Sequence, residues 1–187
     1  SEDPMPPGQV WTINMGGGQA ETTGLYKIEI NSGPGSGVKI LNKPSPPAFQ
    51  ESVRYAEQNL YSKAKELIGD RDPRSHEFSV QLRAFDASKS GNGVGMSVLI
   101  GMCSAILEKN IKGGLVVVGQ LNLGGSLDTV YNAVNLAELS VEKGATTLLV
   151  PLNARKQLND LSDEMITKIN IQYYTDLKDC LIKALID

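Results

Sequence analysis

The stretch from Ser88 to Leu107, SKSGNGVGMSVLIGMCSAIL, constrains what this chain can fold into more than any other. Glycines at 91, 93 and 95 free the backbone for a sharp turn, and from Met96 onward the apolar spacing predicts a long helix. Helix amino ends carry unpaired N–H groups and the positive end of a dipole. The turn is therefore expected to offer amides to an oxyanion, a phosphate or a carboxylate.

The flanking sequence sets this turn between a strand and a helix. Glu77 to Phe85 alternates, with Phe78, Val80, Leu82 and Ala84 on one face, and reads as a strand with one buried side. Val10 to Met15, Gly24 to Asn31 and Val38 to Leu41 read as three earlier strands, separated by Gly16–Gly18 and by NSGPGSG, and are expected to form an antiparallel meander. Between them and the central strand, Ala48 to Ile68 carries Phe49, Val53, Ala56, Leu60, Ala64 and Leu67 at helical steps. Downstream, GLVVVG (114–119) reads as a strand buried on both faces, and Val130 to Val141 as a helix stopped by Lys143 and Gly144. Thr146 to Val150 is a further strand, Asn153 is placed to cap a short helix through Leu158, Ile169 to Tyr173 is a last strand and Thr175 to Ile186 a last helix. An antiparallel front half followed by β-α-β-α-β-α predicts one α/β (α+β) domain, its helices packed on a mixed sheet.

Composition excludes several classes. With 187 residues, 41% hydrophobic and 21% charged, the chain can bury a substantial core, and a net charge of -3 leaves no basic surplus that would call for nucleic acid. No apolar run reaches the roughly 18 to 20 residues that span a bilayer, so no membrane partner is expected and the cytoplasm is the expected compartment. Cys103 and Cys180 fall at apolar helical positions and read as small buried hydrophobes. No His, Cys or carboxylate cluster has metal-ligand spacing. The third glycine of a dinucleotide fingerprint would fall at Met96, and no Lys-Ser or Lys-Thr pair follows to make a P-loop, so no cofactor is expected in this domain. Pro4, Pro6 and Pro7 mark residues 1–9 as a proline-rich linker ahead of a domain over 10–187, and the chain reads as a piece of a longer one.

The series HEFSVQLRAFDASKSGNGVGMSVLIGMCSAIL, GLVVVGQLNLGGSLDTVYNAV, KGATTLLVPLNARKQLNDL and INIQYYTDLKDCLIKAL resembles, in order and approximate spacing, the proteolytic domain of Lon proteases. That family has a turn of the type PKDGPSAG, then TGEITLRGxVxxIGGLKEK, then GxKTVLIPxxNxxDL. The resemblance implies the Lon proteolytic-domain fold. It also implies where a catalytic serine and lysine should stand, and this chain has neither. Asn92 falls on the family aspartate, Gly93 on its glycine, Val94 on its proline and Gly95 on the nucleophilic serine; Met96 follows. On the second motif Gly119, Leu123 and Gly125 keep the family residues, whereas Val134 stands on the activating lysine and Asn132 and Ala133 replace the two residues just before it. No shift of register restores a base, because residues 113 to 142 contain no Lys, Arg or His.

A serine hydroxyl is a weak nucleophile without an adjacent base. The alternative is a displaced dyad, with Ser97 or Ser90 as nucleophile and Lys89 as base, which requires Lys89 to lose its proton through burial. His76 is the one histidine and leaves a Ser-His-Asp arrangement little to draw on. Within the Lon-like proteins, PMPPGQVW, GLYKIEI, SGNGVGMS and GQLNLGGS resemble the C-terminal domain of the Lon-like AAA+ proteins of BREX phage-defence systems in bacteria and archaea. That resemblance implies a non-catalytic domain, a pseudo-protease in a hexameric ring of its own copies. It implies an AAA+ domain in the same chain that binds ATP and magnesium, and contact with DNA through other domains.

Overall fold

The computed structural model describes residues 2–14, 24–84 and 92–187. The turn at Gly16–Gly18 and three residues of the glycine turn, Lys89, Ser90 and Gly91, lie outside the described residues.

Alternation of side chains builds the sheet. β1 (Gln9–Ile13) pairs antiparallel with β2 (Leu25–Pro34), and β2 pairs antiparallel with β4 (His76–Ala84) along nearly its whole length, from Tyr26 opposite Ala84 to Pro34 opposite His76. On β2, Tyr26, Ile28 and Ile30 are buried on one side; on β4, Phe78, Val80 and Leu82 are buried with them. Of the expected meander, the β1–β2 pair forms and the third strand departs. β3 (Val38–Ile40) lies parallel to β4 on the side away from β2, so β4 sits between β2 and β3. The reason is pairing length: β4 takes up nearly all of β2, and Val38 to Ile40 find their partners in Phe78 to Val80 on the far edge of β4.

The second half is parallel, as residues 114 onward predict. β5 (Leu115–Val117) runs beside β1, β6 (Thr147–Pro151) beside β5, and β7 (Asn170–Tyr174) beside β6. The order across the mixed sheet is β3-β4-β2-β1-β5-β6-β7.

Two helix layers cover the sheet. On one side α1 (Pro47–Ser62), α2 (Ala64–Ile68), α3 (Gly95–Leu107) and α7 (Leu177–Ala184) pack into the larger core, in which Phe49, Phe78, Leu99 and Tyr174 are fully buried. On the other, α4 (Ala133–Glu142), α5 (Arg155–Leu158) and α6 (Asp163–Lys168) close a second cluster over Val116, Val118, Leu148 and Val150. The helix expected over 48–68 breaks at Lys63 (φ -121°, ψ 23°) into α1 and α2, and α6, capped by Ser162, has no counterpart among the expected elements. Every residue of α3 from Gly95 to Ser104 is buried, so this helix forms the centre of the larger core rather than an amphipathic cover. Residues 5–8 lie against the rest of the domain. Met5 exchanges backbone hydrogen bonds with Ile111, and the Gly8 amide donates to Ser104 Oγ (3.0 Å). No helix among the described residues is long and apolar enough to cross a membrane.

Candidate functional site

Gly93 adopts the left-handed conformation (φ 69°) that only glycine takes without strain, and this turn delivers the chain into α3. Val94, the residue before the helix, has no side-chain acceptor with which to cap it. Three of the amides the turn is expected to present are nevertheless taken. Gly95 N–H donates to Gln120 Oε1 (2.9 Å), Val94 N–H to Ser52 Oγ (3.3 Å) and Met96 N–H to the Gly119 carbonyl (3.1 Å). Gln120 Nε2 in turn donates to Ser52 Oγ (3.1 Å). The cap of α3 is thus tertiary, drawn from the segment after β5 and from α1. An oxyanion would have to displace a neutral amide already seated there.

The space at position 95 is equally occupied. A Cβ on Gly95 would overlap Gln120 Oε1 and lie 2.5 Å from Leu121 Cδ2, inside the separation real Cβ atoms keep. Gln120 is 7% exposed and Ser52 fully buried. Asn92, Gly93, Val94, Gly95 and Met96 therefore form a turn whose centre is filled by a side chain 25 residues further along the chain.

The segment aligned with the family lysine is held elsewhere. After β5 the chain makes a small hairpin. Leu121 bridges Leu127, and Asn122 Oδ1 accepts from the Gly124 and Ser126 amides. Asn59 of α1 pins its tip, donating from Nδ2 to the Asn122 carbonyl (3.0 Å). Its Oδ1 is the one buried side-chain oxygen without a partner among the described residues. Beyond the hairpin two amides hold the segment 128–133 to α5 and the turn before it: Asn153 bonds Asp128 and Val130, and Gln157 bonds Val130 and Ala133. Asn153 does not cap a helix with its side chain, as expected from sequence, because both its amide groups are spent on this clamp. Asn132 then takes a left-handed conformation (φ 57°) ahead of α4. Val134 is half-buried against the second cluster, whereas Gly95 faces Gln120 and Leu121 beside the larger core.

The alternative nucleophile Ser97 is fully buried, and its hydroxyl donates to the Val117 carbonyl (2.9 Å). Ser90 and Lys89 lie outside the described residues. His76 opens β4, with Nδ1 2.9 Å from Ser32 Oγ, at the end of the strand away from the turn, about 26 Å of extended chain from Ala84. Cys103 and Cys180 are free, buried thiols; burial pushes Cys103 up to about 12, and Cys180 upward as well. Among the described residues no three His, Cys, Asp or Glu side chains gather to hold a metal.

Gln120, Ser52 and Gln157 are the site residues that the sequence does not announce, and Asn153 is announced in another role. A signal for Gln120 existed: an amide directly after the apolar run LVVVG has to find hydrogen-bond partners if it is buried.

Comparison with known proteins matches residues 8–187 to the Lon protease (S16) C-terminal proteolytic domain. The chain is 25% identical to the Lon-like protease BrxL of Escherichia coli O9:H4 (strain HS) over 170 residues, which cover 89% of this chain and 24% of that protein. It is 22% identical to the Lon-like protease BrxL of Bacillus cereus (strain H3081.97) over 180 residues, or 96% of this chain and 26% of that one. Similarity extends to the Lon protease of Lawsonia intracellularis (strain PHE/MN1-00), 25% identical over 186 residues and 22% of its length. The chain thus spans about a quarter of each of these relatives. With its mixed sheet, the turn into α3 and a match over nearly its full length, the chain belongs to the family of Lon C-terminal proteolytic domains.

Proposed function

We propose that this is a non-catalytic Lon-like domain, a pseudo-protease that supports ring assembly of an ATP-driven, DNA-acting phage-defence protein of the BREX type. One observation carries the reading: at Gly95, where the family has its serine, the Gln120 carboxamide fills the place of a side chain and takes the backbone amide. Acyl transfer by a serine needs a hydroxyl, a base within hydrogen-bond reach and free donors for the oxyanion. Here the hydroxyl is absent, Val134 stands at the base position and the donors are engaged. The ring, the ATPase with its ATP and magnesium, and DNA contact through other domains rest on likeness to BrxL, of which this chain covers about a quarter.

The relatives bear protease names, and that favours a second reading, cleavage by a displaced dyad. Ser97 argues against it, being buried with its hydroxyl committed to a carbonyl. One experiment separates the two. Full-length protein with ATP and magnesium is incubated with an unfolded protein, a fluorogenic peptide library and a fluorophosphonate probe, and sedimented in parallel. Rings with no cleavage and no labelled serine are expected. Cleavage abolished by Ser97→Ala would establish the displaced dyad, and a protein that stays monomeric throughout would end the assembly reading.

A further inference from the structure

We propose that Gln120 is a lock: one side chain that caps α3 and fills the space at position 95, so that Gly95, Gln120 and Ser52 depend on one another and the serine turn cannot open while Gln120 stands. Three elements meet at this amide. Its Oε1 takes the first amide of α3 at Gly95, its Nε2 reaches Ser52 on α1, and Ser52 accepts in addition from Val94. Gln120 itself sits three residues past the end of β5, its own carbonyl accepting from the Asp128 amide (2.8 Å) and so fixing the base of the hairpin. With 7% exposure for Gln120 and none for Ser52, Val94 or Gly95's neighbour Met96, withdrawing the amide leaves the buried Gly95 N–H without its acceptor.

The complementarity works in both directions. Any side chain at 95 would have to move Gln120 Oε1 and Leu121 Cδ2, which occupy the place of its Cβ, and moving Oε1 gives up its hydrogen bond to the Gly95 amide. A serine put back at position 95 would meet the carboxamide, so a nucleophile fits only after Gln120 is shortened or gives up its place. The lock rests on the non-catalytic reading to this extent, that a working serine could not share the turn with this amide.

A double-mutant cycle read by thermal unfolding tests it. At the first position of a helix alanine is intrinsically favoured over glycine, so a Gly95→Ala variant that met no obstacle would melt at or above the parent. The lock instead predicts a fall of about 5 °C or more for Gly95→Ala. In the Gln120→Ala background at least half of that fall should vanish, the remainder belonging to Leu121. Gln120→Met keeps length and removes both hydrogen bonds, and is expected to melt below the parent as Gln120→Ala does. If Gly95→Ala does not fold, recovery of folded chain in the double variant is the same result. Additive effects, a double variant that stays unfolded, or a Gln120→Met variant as stable as the parent would overturn the lock. None of these readings involves peptidase activity, so additivity would sink the lock and leave the non-catalytic reading standing, while cleavage by the full-length protein would do the reverse.

Discussion

Single residues define this site by what they exclude. Gly119 aligns with the glycine that opens the family's second motif, and the structure supplies the physical reason for it. Its φ of 147° is closed to ordinary side chains, and a Cβ there would collide with the Tyr174 hydroxyl, which donates to the Val118 carbonyl (2.8 Å). The Gly119 carbonyl also accepts from Met96 at the start of α3. Gly119→Ala combines backbone strain with a displaced buried hydroxyl, and should destabilise the chain by about 2 kcal/mol or more. In thermal unfolding that is a fall of about 4 °C or more, and an unchanged melting temperature would show that Tyr174 yields freely. Motif spacing marked both Gly119 and Gly95 as special. Their meanings differ: one glycine is required by backbone shape, the other by a neighbour's amide.

Among the elements, α3 and α7 show two ways of satisfying a helix amino end. The cap of α7 is local and readable in the sequence TDLKD. Asp176 Oδ1 accepts from the Asp179 amide (2.8 Å), and Asp179 Oδ2 accepts from the Thr175 amide (3.0 Å) and pairs with Lys183 (3.0 Å). Partial burial works to raise the Asp179 pKa, but the Thr175 amide and Lys183 outweigh it and hold the carboxyl below its usual 3.8. A carboxyl depressed in the folded state contributes stability in full above its unfolded value and loses it as pH falls through the folded one. Asp179→Ala should accordingly cost about 1 kcal/mol at neutral pH. The gap to the parent should close as pH drops below 3.8 in paired denaturant titrations, and a gap that persists unchanged in acid would refute the assignment. The cap of α3 has no such local sign. Val94 offers no acceptor, and the residue that does lies 25 positions away.

At the scale of the whole molecule, one helix layer, that of α1, α2, α3 and α7, seals both cysteines in the larger core, on α3 and α7. Burial raises both thiols, Cys103 to about 12, so at neutral pH neither supplies the thiolate that reacts. A thiol reagent should leave the folded chain unmodified over a period in which the denatured chain reacts completely, and both cysteines should become reactive together as denaturant unfolds the domain. Faster modification of either one in native buffer would reveal a local opening of that layer.

Much of this architecture was legible from residue patterns, because burial alternates along β2 and β4 and recurs at helical steps along α1. The glycine at 95 and a stretch from 113 to 142 without Lys, Arg or His are likewise read straight from the sequence. Strand order was not: the insertion of β4 between β2 and β3 depends on which pairings last longest, and short apolar runs do not encode their neighbours. Nor was the fate of the glycine turn. By itself the sequence determined that no side chain attacks from Gly95. Only the tertiary structure decided that the turn is also filled and capped, because the amide that does so comes from Gln120 and can meet α3 only after β5 has joined the sheet beside β1.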